Sequence, residues 1–350
     1  MKRRKQVYMD ISLLILFFAF LISCNRKEEP SLLNNNWQVI YQNTDLDLFS
    51  IKFIDENNGY VLAGLSALHT TPNWELILTT TNGGNQWAID TCYFPMENDP
   101  VSDIYPLGNR SLLAIGSHVY KSDDNGKNWK DISTHFVSSN RIGDLYVIDS
   151  TTWIVAKGVD IFMTKDVGQS WQTVFQTDFM GVFEKFSFPS PTIGYANIGV
   201  MDLDHNQNAG QIIKTVDGGQ SWTNLKSEPW NSDGVSIPYI TTIQFITDYI
   251  GYISTFSKDK LYKTVDGGNN WTTVQNNNAL NVYTLLYFID EEKGYYSDGK
   301  NIYATKDGGS AWLIDNYDIN EKSNILTWTF LKTGVGFALT EDHQIIKRNN

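Results

Sequence analysis

Beyond residue 30 the chain alternates apolar and polar side chains in short runs, as in Lys260-Leu261-Tyr262-Lys263. A period of two over four to six residues predicts strands with one buried face. No ten-residue stretch with helical spacing and caps interrupts them. Two motifs punctuate the runs. In the first, Phe245-Ile246-Thr247-Asp248-Tyr249-Ile250-Gly251-Tyr252, an aromatic stands six residues before Gly or its equivalent, as do Phe53, Tyr105, Tyr146, Phe188, Phe288 and Phe330. A bulky residue follows that position in each unit: Tyr60, Leu112, Trp153, Tyr195, Tyr252, Tyr295 and Phe337.

The second motif is an eight-residue box, Thr264-Val265-Asp266-Gly267-Gly268-Asn269-Asn270-Trp271, which recurs as Thr80–Trp87, Ser122–Trp129, Thr164–Trp171, Thr215–Trp222 and Thr305–Trp312. The third residue is Asp, except Asn82 in the first copy; the fifth is Gly and the eighth Trp. This chemistry describes a tight hairpin turn. The first hydroxyl and the third carboxylate accept from amides inside the turn. The fifth residue takes a positive φ that favours Gly, and the Trp ring can cover the turn as it opens the next strand. The box Trp recurs every 41 to 51 residues, a spacing of propeller blades or solenoid arrays. Each unit holds four strands, and seven units predict an all-β, seven-bladed β-propeller of four-stranded antiparallel blades. The ends fit together. The last unit stops where its outer strand would begin, and Trp37-Gln38-Val39-Ile40 is an outer strand with no blade before it. The N-terminal strand should therefore close the ring and remove its free edges.

These repeats resemble the Asp-box, or BNR, repeat of sialidase-like propellers. Over residues 36 to 350 the paired motifs resemble those of the photosystem II stability/assembly-factor-like branch. The resemblance implies that the boxes are folding devices away from the ligand, and that the chain is a scaffold binding another protein.

The N-terminus carries different information. Lys2-Arg3-Arg4-Lys5 and an apolar run Ile11–Ser23, followed by Cys24, predict a signal peptide over residues 1–23, the alternative being an uncleaved N-terminal anchor. Thirteen apolar residues are too few to span a bilayer, which needs about 20. Leu21-Ile22-Ser23-Cys24 resembles a bacterial lipobox, which implies cleavage before Cys24 and lipid attachment to its sulfur. Residues 24–35 then form a polar tether and 36–350 the propeller. Lys27-Glu28-Glu29 resembles a surface-export signal, placing the chain on the outer membrane, exposed at the cell surface or otherwise facing the periplasm. Cleavage changes the formal net charge from −12 to −15, because residues 1–23 hold four basic and one acidic residue. A chain that acidic, without a basic cluster, is not built to bind nucleic acid. With Cys24 acylated, Cys92 remains as one thiol with no intrachain partner, which excludes a disulfide framework.

Candidate chemistry lies on the face opposite the boxes, in long loops between strands and blades. Ser66–Leu76 carries His69 and Trp74, Asp90–Asp103 carries Tyr93 and Phe94, and Ser227–Tyr239 carries Trp230 and Tyr239. Exposed aromatics suit a protein surface or a glycan; the plainer reading is that they cover the ends of their own blades. Asp202 and Asp204, in Met201–Gln211, alternate as Ca²⁺ ligands do. Gln207 and Ile213 stand where an EF-hand needs Gly and Glu, so a solvated polar loop is the plainer reading and no cofactor is expected. The rival function is a divergent glycoside hydrolase. The sialidase family holds its substrate with three arginines, and the mature chain has only Arg26, Arg110, Arg141 and Arg348. Arg110 and Arg348 belong to the box face and Arg26 to the tether. Inner-strand Asp103, Asp144 and Glu184 are available as carboxylates, without a motif around them.

Overall fold

A computed structural model describes residues 33–65, 75–96, 99–108, 110–133, 141–177, 181–202, 207–225, 240–255, 260–276, 285–317 and 323–349. Among these residues the regular elements are all strands. Blade one is built from Leu46–Phe53, Gly59–Leu65, Glu75–Thr80 and Ala88–Cys92, each antiparallel to the next. The same order repeats over 103–131, 142–176, 181–224, 240–276 and 285–317. Blade seven takes three strands, Ile325–Phe330, Gly336–Thr340 and Gln344–Arg348, from the C-terminus and its fourth, Leu33–Gln42, from the N-terminus. The first strands of neighbouring blades pack against one another, including those of blades one and seven, and between blades two and three Tyr105 reaches Asp144, so the ring is closed.

The closing strand does more than fill an edge. Trp37 pairs with Arg348 and Gln42 with Gln344, while Leu33 runs parallel to blade six beside Asp315. Trp37 is 1% exposed and meets Phe330 edge to face at 5.9 Å. Asp315, fully buried, accepts from Asn36 Nδ2 (2.9 Å), Trp37 Nε1 (3.2 Å) and Arg348 Nε (2.9 Å). One carboxylate thus ties both termini to the outer strand of blade six.

The boxes are turns of the predicted kind. Thr264 Oγ1 accepts from Gly268 N at 2.9 Å and donates to Asp266 Oδ1, which accepts from Asn270 N at 2.9 Å. Asp266 Oδ2 takes Asn270 Nδ2 at 2.7 Å, and Trp271 Nε1 donates to Gly268 O at 3.1 Å. The fifth-position glycines have φ between +83° and +93°. Each box also binds the turn between the first two strands of its own blade, as in Gly267 N to Tyr249 O, so boxes and these turns share one face.

Between blades runs a ladder of rings. Tyr195 stacks on Phe245 at 3.4 Å, Tyr252 on Phe288 at 3.6 Å and Phe337 on Phe53 at 3.5 Å, each pair joining a blade to the next. The tyrosine hydroxyls continue into the next box, Tyr252 reaching Gly308 O at 3.1 Å and Tyr195 reaching Gly267 O at 3.3 Å. Within a blade the aromatic lies flat over the paired Gly. A Cβ at Gly59, Gly194, Gly251, Gly294 or Gly336 would come within 2.6 Å of that ring, so only Gly admits it.

Two sequence expectations need correction here. Blades two and three are shifted by one residue. Pairing places Leu112 and Trp153, not Ser111 and Thr152, opposite the first box residue, where the other blades have Gly. Pro106 and Val147 consequently occupy the ring position, opposite Leu112 and Trp153. A side chain at the Gly position fills the space that the ring fills elsewhere. Tyr105 and Tyr146 instead point to the next blade, Tyr105 bonding Asp144 Oδ1 at 2.9 Å and Tyr146 stacking on Phe188 at 4.4 Å. The second correction concerns Met201–Gln211. It is mostly strand, because Gly194–Asp202 pairs with Gln207–Thr215 through Asp202↔Gln207.

Candidate functional site

The face opposite the boxes carries the strand-two to strand-three connections and the links between blades. Cys24, His69, Trp74, Asp204, Trp230 and Tyr239 lie outside the described residues. Asp202 is placed only by its backbone, at the end of a strand. Phe94 follows the plainer reading. It is half-buried, stacked on Trp129 at 4.8 Å and against Tyr120 at 5.1 Å. Tyr93 is 64% exposed, but its backbone bridges to Asn128 and its amide points at Lys127 O. It stands beside the second box rather than among the loops it was expected to join, because the outer strand of blade one runs on toward blade two.

The inner-strand carboxylates are occupied as staples between blades. Asp103 accepts from Ser50 Oγ, from Lys52 Nζ at 3.1 Å and from Ile104 N at 2.9 Å. Asp144 accepts from Tyr105, from Phe186 N at 2.8 Å and from Lys185 Nζ at 3.4 Å. Further round, Ser187 accepts from Phe245 N, and Gln244 bonds both the amide and the carbonyl of Phe288. Burial would raise Asp103, but Lys52 and Lys185 outweigh it and hold the carboxyl below its usual range. Asp144, and Asp103 behind it, lift Lys185 upward. Lys52 pairs with Asp103 and Lys185 with Asp144. Glycoside hydrolysis needs two facing carboxyls free to meet the substrate, one as acid and one as nucleophile or base, whereas Asp103 and Asp144 are taken up by donors within and between the blades. The arginines are also placed. Arg348 is bound to Asp315 over the Tyr295 ring, Arg110 sits at φ +66° in a box-face turn, and Arg141 donates to Pro100 O at 2.7 Å on the loop face.

One loop-face cluster was not anticipated. Buried Asp99 accepts from Ser117 N (2.7 Å), His118 Nδ1 (2.9 Å) and Tyr120 OH (2.5 Å). Buried Glu75 accepts Val101 N at 2.9 Å through Oε1, while Oε2 has no partner among the described residues. Together they fasten the link between blades one and two, and Lys157 Nζ bonds Ser117 O at 2.6 Å beside them. An acid opening the apolar run Glu75-Leu76-Ile77-Leu78 was the sequence signal for it. Burial, with a lesser push from Asp99, raises Glu75 to about 7. A raised folded pKa means that stability is lost as pH climbs from the unfolded value near 4.5 through 7. The loss should total roughly 3 kcal/mol and level off above that. Glu75→Gln should flatten this slope, checked by urea unfolding at several pH values between 4 and 8; an unchanged slope would refute the assignment.

No protein-family model matches the chain. It is 20% identical over 339 residues to the photosystem II assembly lipoprotein Ycf48 of Synechococcus sp. (strain CC9902), covering 94% of this chain and 93% of the relative. Among solved structures it is similar to YCF48 bound to D1 peptide, with TM-score 0.69 and 18% identity over 92% of this chain and 100% of that one. YCF48 from Cyanidioschyzon merolae gives TM-score 0.65 and 17% identity over 90% and 98%. The GH74 xyloglucanase from Xanthomonas campestris gives 0.59 and 13%, over 88% of this chain and 60% of that one. By fold the chain is a seven-bladed β-propeller, similar along most of its length to Ycf48.

Proposed function

We propose that the chain is a non-enzymatic binding propeller, lipid-anchored through Cys24 at the bacterial envelope, that holds a protein partner on its loop face. The observation that carries this reading is the whole-length similarity to a Ycf48 propeller bound to a peptide. The occupied state of Asp103 and Asp144 supports binding over catalysis. A net charge of −15 after cleavage favours a partner with basic segments. His69, Trp74, Trp230 and Tyr239 supply the contacts, with Asp202 and Asp204 on the rim; Tyr93 stands apart beside blade two. Lys27-Glu28-Glu29 directs the lipoprotein to the outer membrane.

The test is cross-linking of the tagged chain in its parent membranes, followed by affinity measurement on the captured protein. Trp74→Ala and Trp230→Ala should each weaken binding about thirtyfold, as truncating a hot-spot aromatic costs about 2 kcal/mol, with melting unchanged. Fluorogenic glycosides should remain intact. Turnover of one of them, abolished by Asp103→Asn, would replace this reading with the hydrolase.

A further inference from the structure

The anchor reading, combined with the position of the closing strand, orients the ring. Trp37 pairs with Arg348, which itself pairs with Gly336 just after the box-side turn of blade seven. From Trp37 the backbone runs back to Leu33 beside Asp315, on the outer wall of blade six. The N-terminus therefore enters from the box side. Cys24 stands nine residues before Leu33, a reach of at most about 30 Å when fully extended. A first strand such as Leu46–Phe53, with eight residues, rises about 26 Å from one face to the other. Turning the loop face to the bilayer would consume nearly the whole tether as an extended chain, whereas a box-side contact leaves it slack.

The box side also carries a row of exposed groups, of which Lys165 Nζ donates to Gln220 Oε1 of the next box at 2.7 Å. The residue after the first Ser/Thr of each box occupies one structural position. In blades three to six it is Lys165, Val216, Val265 and Lys306, all exposed. Val216 and Val265 are each 67% exposed, as is Tyr249, whose carbonyl binds the box of blade five. Two apolar tips and a tyrosine thus stand between two lysines, on adjacent blades. The box acids between them are turned inward: Asp217 and Asp266 accept from Ser221 N and Asn270 N within their own turns.

We propose that this arc, Lys165, Val216, Tyr249, Val265 and Lys306, is the surface that rests on the bilayer to which the chain is tethered. The valines and Tyr249 enter the headgroup region and the two lysines lay their stems along it. The loop face is thereby turned away from the membrane, free for the protein partner. The acids of the blade-six turn, Asp290, Glu291 and Glu292, lie at the end of the arc, so the contact is apolar in character and needs no anionic lipid.

The test supplies the tether chemically. The chain from Cys24 onward is coupled to phosphatidylcholine vesicles bearing a maleimide lipid. Cys92 does not compete, since it is buried and burial pushes its thiol up to about 12. Lysines are then acylated with a membrane-impermeant reagent and read by mass spectrometry. Relative to uncoupled protein, Lys165 and Lys306 should lose labelling several-fold. Lys300, exposed in a loop-face turn of blade six, should keep it. Protection of Lys300 in place of Lys165 and Lys306, or labelling unchanged at all three, overturns the proposal. The variant Val216→Glu with Val265→Glu should restore labelling of Lys165 and Lys306 without lowering the melting temperature; persistent protection would equally overturn it. Absence of palmitate-analogue incorporation at Cys24 in the native cell would overturn the anchor alone, because the vesicle assay provides its own tether.

Discussion

A chain lacking residues 25–42 should melt at least about 10 °C below one lacking only 25–32, and should self-associate. The shorter deletion removes only chain before the closing strand. The longer one removes Trp37, buried to 1% between Phe330 and the Gly336 strand, and exposes the edge of Gln344–Arg348. Loss of a buried Trp side chain alone costs about 3–5 kcal/mol, against a domain total of about 5–15. In a domain of this size each kcal/mol moves the midpoint by roughly 2–4 °C. The unpaired edge then offers a template to a second copy. Calorimetry and sedimentation of the two truncations decide the matter. Equal midpoints and equal sedimentation would mean that the closing strand does not hold the ring.

The second large effect should come from Asp315→Ala. Three donors converge on this carboxylate, and Arg348, only 12% exposed at its side chain, would be left charged and without its carboxylate. Breaking a buried pair by removing one partner costs about 3–5 kcal/mol. Asp315→Leu combined with Arg348→Met should recover much of that loss, because the combination leaves no stranded charge in the seam. Urea titration of the single and double variants measures both. A single-variant loss below about 1 kcal/mol, the scale of an exposed ion pair, would show that the seam is held by Trp37 and backbone pairing alone.

The repeat made most of this molecule legible without coordinates. Ser/Thr, Asp, Gly and Trp within eight residues satisfy one another through local hydrogen bonds, so the box turn follows from its own sequence. The period and the split final blade then lead to seven blades and to the N-terminal closing strand. Local pattern failed where two changes compensate across strands. Leu112 replaced Gly while Pro106 replaced the ring, and Trp153 and Val147 did the same in the next blade. A register read from aromatics alone slipped by one residue there. Exposure of Tyr93 was a sound inference, but its place beside Asn128 depends on where an outer strand runs relative to the next blade. Asp315 reads as an ordinary strand residue, and only ring closure brings Asn36 and Trp37 to it from 279 and 278 positions away. Glu75 and Asp99 likewise acquire their meaning from burial against a neighbouring blade. Turn chemistry acts between residues a few bonds apart and is therefore written in the chain. The state of a buried carboxylate depends on which distant donors and which desolvating side chains surround it, and only the closed ring decides that.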